Sequence, residues 1–133
     1  MTLNNMEDTI IKKTILIVED EQGLLRALKD KLTDEGFLIL EAKNGQEGLN
    51  VAIEKQPDLI LLDIVMPVMD GMTMLKELRQ DDWGKKANVL LLTNLADEGK
   101  LEEVNVPIAD YLIKSNWSIA DIVNKIKEKL NLK

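Results

Sequence analysis

The sequence contains neither cysteine nor histidine. Without thiols there is no disulfide framework, no thiolate nucleophile and no zinc–thiolate site. Without imidazoles there is no histidine general base, no histidine metal ligand and no internal phosphohistidine. Any chemistry must rest on carboxylates, lysines, hydroxyls and a bound cation. A cluster of Lys and Arg is also missing, and the formal net charge is −7. A surface that neutralises nucleic-acid phosphates is therefore not expected. Long apolar runs are absent too. Leu59-Ile60-Leu61-Leu62 and Val89-Leu90-Leu91-Leu92 are far too short to span a bilayer. The first residues, Met1 to Asp8, are polar and acidic and lack the basic-then-apolar order of a secretory signal. The expectation is a cytoplasmic protein with no nucleic-acid and no membrane partner.

What is present suits one compact domain. The chain has 133 residues, 45% apolar and 31% charged, enough for a useful core. Short β-rich runs alternate with amphipathic segments. The first strand is Thr14 to Val18, ending at Glu19-Asp20. A helix from about Gln22 carries Leu24, Leu25, Leu28 and Leu32, and Gly36 closes it. A second strand, Phe37 to Ala42, precedes a helix opened by Asn44-Gly45 and ended by Pro57. The third strand, Asp58 to Leu62, arrives at Asp63. A loop with Pro67 and Asp70-Gly71 leads to a helix with Met74, Leu75 and Leu78. The fourth strand, Asn88 to Leu92, ends at Thr93. The segment Asp97 to Val104 is a poor helix, with Gly99 near its start and Asn105 and Pro107 after it. The fifth strand, Ala109 to Ile113, ends at Lys114. The last helix starts at Ser118, with Asp121 as a capping-box partner, and aligns Ile119, Ile122, Val123, Ile126 and Leu130. Five β–α units in succession imply an α/β fold, a parallel sheet with helices on both faces.

In open α/β sheets ligands bind beyond the carboxyl ends of the strands. Strand one delivers Glu19 and Asp20 there, strand three Asp63, strand four Thr93 and strand five Lys114. Each has a bland explanation alone: a solvated acidic loop, a hydroxyl capping the next helix, a surface lysine. Three carboxylates, a hydroxyl and an ammonium on one sheet edge are harder to explain that way. Met66, Met69, Met72 and Met74 read as packing residues. Glu21 and Asp70 take no catalytic role.

These residues carry a resemblance to response-regulator receiver domains of two-component signalling, of the stand-alone, chemotaxis type. The matching stretches are Ile17-Val18-Glu19-Asp20-Glu21, Leu62-Asp63-Ile64-Val65-Met66-Pro67-Val68-Met69-Asp70-Gly71, Leu92-Thr93-Asn94 and Asp110-Tyr111-Leu112-Ile113-Lys114. The resemblance runs from about Thr14 to Leu130. It divides the chain into an N-terminal extension, residues 1–13, and a receiver domain, residues 14–133. It implies a five-stranded parallel sheet of flavodoxin-like order 2-1-3-4-5 flanked by five helices. Asp63 is then the phosphoacceptor, receiving a phosphoryl group from a histidine kinase or phosphotransfer protein. Mg²⁺ is the implied cofactor, held by Asp20 directly, Glu19 through water, Asp63 and the backbone carbonyl of Val65. Lys114 pairs with Asp63 at rest and holds a phosphoryl oxygen afterwards, and Thr93 donates to another. As a switch, Thr93 moves toward the new group and Tyr111 turns inward, changing the face of the fourth helix, fifth strand and fifth helix. The competing reading of Tyr111 is a half-buried strand residue with its hydroxyl in water.

The sequence departs from the family in placing Ser115, not proline, after Lys114. A cis bond there would cost about 2.5–4 kcal/mol, so a trans bond is expected. Val65 and Leu95 are apolar where relatives carry groups that influence the hydrolytic water, so slow loss of phosphate is expected. The chain ends just after the last helix, so output is expected through a separate protein effector. Catalysis is confined to the protein's own phosphorylation and dephosphorylation. The alternatives are a phosphorylation-independent interaction module and a Mg²⁺-dependent phosphohydrolase. The second lacks an extra general acid and a capping element.

Overall fold

The computed structural model describes residues 12–97, 99, 101 and 110–132. Its sheet has five parallel strands: β1 (Thr14–Val18), β2 (Leu38–Ala42), β3 (Leu59–Asp63), β4 (Val89–Thr93) and β5 (Tyr111–Ile113). Their order is β2-β1-β3-β4-β5, the order expected. Four α-helices are present among the described residues: α1 (Gln22–Asp34), α2 (Gly45–Lys55), α3 (Gly71–Leu78) and α4 (Ile119–Lys129). The weak helix expected over Asp97 to Val104 falls largely outside the described residues, as does Ala109 at the expected start of β5. Gly99 and Leu101 are helical, and Leu101 is buried. The proposed extension, residues 1–13, is described only at residues 12 and 13.

The inner strands β1, β3 and β4 are apolar between their ends because both faces are covered, whereas the edge strand β2 exposes Leu38 and Glu41. Ile15, Ile17, Leu59, Leu61, Leu90 and Leu92 face a core shared with Leu25, Leu28 and Leu32 of α1 and Ile122, Val123 and Ile126 of α4. The alternating positions Leu16, Val18, Ile60, Leu62 and Leu91 face Leu49 and Ala52 of α2 and Met74 and Leu78 of α3. Each fully buried Leu or Ile contributes about 1.5–3 kcal/mol of transfer free energy. These two cores fix the register that aligns the strand ends.

Local chemistry sets the helix boundaries. After α1, Gly36 N–H bonds to Thr33 O and Phe37 N–H to Leu32 O, with Gly36 at φ 99°. That is a Schellman closure, with Leu32 and Phe37 buried in the same core. Asn44 caps α2 by accepting from Glu47 N–H, and Asp70 caps α3 by accepting from Thr73 N–H. Ser118 and Asp121 form a complete capping box on α4. None of these helices is long and apolar enough to cross a membrane.

Candidate functional site

Parallel pairing places the polar residues together. Val18 lies opposite Leu62, Asp63 opposite Leu92, and Thr93 opposite Ile113. The residues at or just after these positions therefore share the carboxyl edge of the sheet. Glu19 N–H extends the β1–β2 ladder by bonding Ala42 O at 3.0 Å, and Ile64 N–H bonds Leu92 O at 3.1 Å. These bonds hold Glu19, Asp20 and Asp63 together at that edge. One carboxylate oxygen from each lies within 4.8 Å of the other two.

Lys114 closes the group. Its Nζ lies 3.1 Å from Asp63 Oδ2 and 3.2 Å from Glu19 Oε1. The peptide bond to Ser115 is trans, since no cis bond occurs among the described residues. A 3₁₀ turn over Lys114–Asn116 follows β5 directly, and the lysine reaches the carboxylates from there.

The charges do not balance. Asp63 and Glu19 are 5% and 1% exposed, and one ammonium faces both. Burial raises the Glu19 carboxyl to about 7, the Asp63 charge pushes the same way, and the Glu21 N–H and Lys114 oppose it. Burial pulls the Lys114 ammonium down, but Asp63 and Glu19 more than offset this, and its pKa rises. Glu19 Oε2 accepts from Glu21 N–H at 3.1 Å. Glu19 Oε1 is fully buried without a hydrogen bond, and its contact with Lys114 is the ion pair at 3.2 Å. A buried oxygen without a hydrogen bond, in a group of three carboxylates, is a donor set for a hard cation. The residues present fit Mg²⁺, which prefers oxygen ligands and a few carboxylates.

The loop after β3 is bolted down beside Asp63. Gly71 N–H bonds Ile64 O at 2.7 Å and Gly45 N–H bonds Met69 O at 2.9 Å. A Cβ on Gly71 would lie 2.2 Å from Asp63 O, and one on Gly45 2.3 Å from Met69 O. Only glycine allows these approaches. Val65, half exposed in this loop, directs its N–H toward Asp63 Oδ1 at a long 3.4 Å.

Glu19, Asp20, Asp63 and Lys114 are thus brought together as the sequence suggested. Thr93 is fully buried, and its hydroxyl donates to the adjacent Asn94 carbonyl at 3.0 Å. Tyr111 is buried at 6% exposure, not half-buried, and belongs to the core shared with α2 and α3. Sequence reasoning missed the burial of Glu19 and its pairing with Lys114. The signal was the longer acid placed immediately after the apolar run Ile15 to Val18. It also left Asp70 without a role, where the structure uses it as a cap.

Comparison with known proteins settles the family. The response regulator receiver domain family matches residues 15–127. The chain belongs to this family. Receiver domains are signalling modules of two-component systems, not enzymes of the ordinary kind. The receiver is 30% identical to the polar-differentiation response regulator DivK of Brucella anthropi, over 89% of this chain and 96% of DivK. It is 37% identical to the transcriptional regulatory protein SrrA of Staphylococcus aureus, over 87% of this chain and 47% of SrrA. The receiver spans about half the length of several curated relatives it matches. It superposes on the receiver domain of the sensor histidine kinase PA1611 of Pseudomonas aeruginosa with a TM-score of 0.80. The two share 25% identity over 90% of this chain and 98% of that one, which carries a magnesium ion in its active site cleft.

Proposed function

We propose that this receiver is a phosphorylation-activated switch, with Asp63 accepting a phosphoryl group from a histidine kinase or phosphotransfer protein. The observation that carries this reading is the buried Asp63 carboxylate at the end of β3. It stands 3.1 Å from Lys114 and within 4.8 Å of the Glu19 and Asp20 oxygens.

In the reaction an Asp63 oxygen attacks the phosphorus of a phosphohistidine. A carboxylate O–P bond forms, the imidazole N–P bond breaks, and the leaving imidazole takes a proton from solvent. Glu19, Asp20, Asp63 and the Val65 carbonyl would hold Mg²⁺, which supplies charge neutralisation at the phosphoryl oxygens. Lys114 is already in place to hold one such oxygen by a charge-assisted hydrogen bond. Thr93 must exchange its bond to the Asn94 carbonyl for one to the phosphoryl group, and that exchange is the first movement of the switch. The buried Tyr111 ring on β5 couples it to the output face that the family resemblance implies, of which β5 and α4 are the described parts. A population shift of this face signals to a protein effector. The apolar Val65 and Leu95 positions favour a long-lived acyl phosphate. The reading places the domain at residues 14–133 and the protein in the cytoplasm.

The test is intact-mass measurement after incubation with acetyl phosphate and Mg²⁺. A gain of one phosphoryl group, absent from Asp63→Asn, is expected. No gain in the wild-type chain would favour a phosphorylation-independent interaction module.

A further inference from the structure

Asn44 is the only asparagine in the chain that is followed by glycine. That dipeptide is chemically fragile. The following backbone nitrogen attacks the side-chain amide to close a five-membered imide, and glycine, with no side chain, hinders the attack least. In the fold the dipeptide opens α2. Asn44 is half-buried and extended, at φ −156° and ψ 170°, and its Oδ1 accepts from Glu47 N–H at 2.9 Å. Gly45 N–H, which carries the attacking nitrogen, donates to Met69 O at 2.9 Å.

The reactive nitrogen is therefore tied to the loop after β3. Closing the ring requires the planar Asn44–Gly45 peptide to rotate and its proton to leave, and both break the bond to Met69 O. They also take the Asn44 side chain off its cap on α2. The same loop holds a second dipeptide of this type, since Asp70 caps α3 and Gly71 N–H donates to Ile64 O at 2.7 Å. Asn44 is the one of the pair whose reaction adds a charge.

We propose that Asn44 is a deamidation site gated by the loop beside Asp63. When the Gly45–Met69 bond opens, Gly45 N gives its proton to solvent base and attacks Asn44 Cγ. The Cγ–Nδ2 bond breaks, and ammonia leaves with a proton from water. Water then opens the imide at either carbonyl. Opening at Cγ leaves aspartate, which caps a helix as well as asparagine does. Opening at the backbone carbonyl leaves isoaspartate, and the main chain gains one carbon between residues 44 and 45. Gly45 has no room for that shift, since even a Cβ there would lie 2.3 Å from Met69 O. The isoaspartyl chain thus loses an anchor of the loop that carries Val65. Its effect on signalling rests on the phosphoacceptor reading above, in which the Val65 carbonyl helps to hold the cation.

The experiment ages the full chain for weeks at neutral pH beside a synthetic peptide of residues 40–50. Peptide mapping follows aspartate and isoaspartate at position 44, and hydrogen exchange gives the protection of the Gly45 amide. The full chain is expected to deamidate more slowly than the peptide, by the Gly45 protection factor to within about threefold. A much smaller suppression overturns the gate. A much larger one, or no reaction at all, assigns the protection to the α2 cap and overturns the gate too. The purified isoaspartyl chain should take a phosphoryl group from acetyl phosphate about tenfold more slowly than wild type, and Asn44→Asp as fast as wild type. Equal rates for the isoaspartyl chain overturn the loss of the anchor, and a slow Asn44→Asp traces the effect to charge and overturns it as well. A wild-type chain that takes no phosphoryl group overturns the functional reading instead, while the ageing rates still decide the gate.

Discussion

The Lys114 ammonium stands 3.1 Å from Oδ2 of Asp63, although serine follows the lysine and the intervening bond is trans. Lys114→Met keeps the stem and removes the charge, leaving two buried carboxylates facing one another. Stability should fall by about 1–3 kcal/mol, less than for a fully buried pair because Lys114 is 23% exposed. Labelling by acetyl phosphate should slow by about tenfold or more, since a preorganised cation at the phosphoryl oxygens is lost. Urea denaturation and a mass time course measure the two effects separately.

Glu19 makes stability depend on pH. Its folded pKa is raised from 4.5 to about 7, so between these values the folded state binds more proton than the unfolded one. Its contribution is fully present below pH 4.5 and is lost as pH rises through 7. The loss is on the order of 1–3 kcal/mol. The chain has no histidine, so no imidazole titrates in that window. In chelator the urea midpoint should fall from pH 5 to pH 8, and Glu19→Gln should flatten the slope. Saturating Mg²⁺ should restore stability at pH 8 by mass action, and Asp20→Asn should weaken that restoration.

Gly71→Ala would place a methyl group 2.2 Å from Asp63 O and 2.8 Å from Ile64 Cα. Backbone cannot yield cheaply there, and the expected cost is about 2–4 kcal/mol. Gly99→Ala is the contrast. A Cβ at position 99 meets nothing within 4 Å, and the residue is helical, so stability should rise by about 0.5–1 kcal/mol. Thermal melts of the two variants would show opposite shifts.

Ser118→Ala removes the hydroxyl that accepts from Asp121 N–H at 3.1 Å. The loss of this cap should cost about 1 kcal/mol and leave Mg²⁺ binding and phosphorylation unchanged. A fall in labelling rate would show that the start of α4 reaches the site.

The sheet was legible because burial on both faces writes itself as runs such as Leu59 to Leu62. The polar residue ending each run then marks the sheet edge. Helix ends were legible where a side chain or a glycine closes them, as at Asn44, Gly36 and Ser118. β5 was read too long at its start: Asp110 continues its pattern but forms a 3₁₀ turn ahead of the strand, and Ala109 lies outside the described residues. Two features of the site were not legible. The double pairing of Lys114 depends on how far β1 and β5 stand apart across the sheet, which no local pattern records. Val68, in the loop after β3, sits at φ 68° against valine's own preference, so the local sequence argues for a different conformation than the loop's bonds to Gly45 and Gly71 impose.

Glu19, Asp63 and Lys114 come from β1, from β3 and from the residue after β5, and their meeting requires the intervening β4 as well. No fragment of the chain owns the pocket. During synthesis Asp63 leaves the ribosome well before Lys114, so a nascent or half-folded chain holds the acceptor carboxylate without its cation. Competence to receive a signal therefore belongs to the whole sheet, and a chain with either β1 or β5 out of place lacks part of the site.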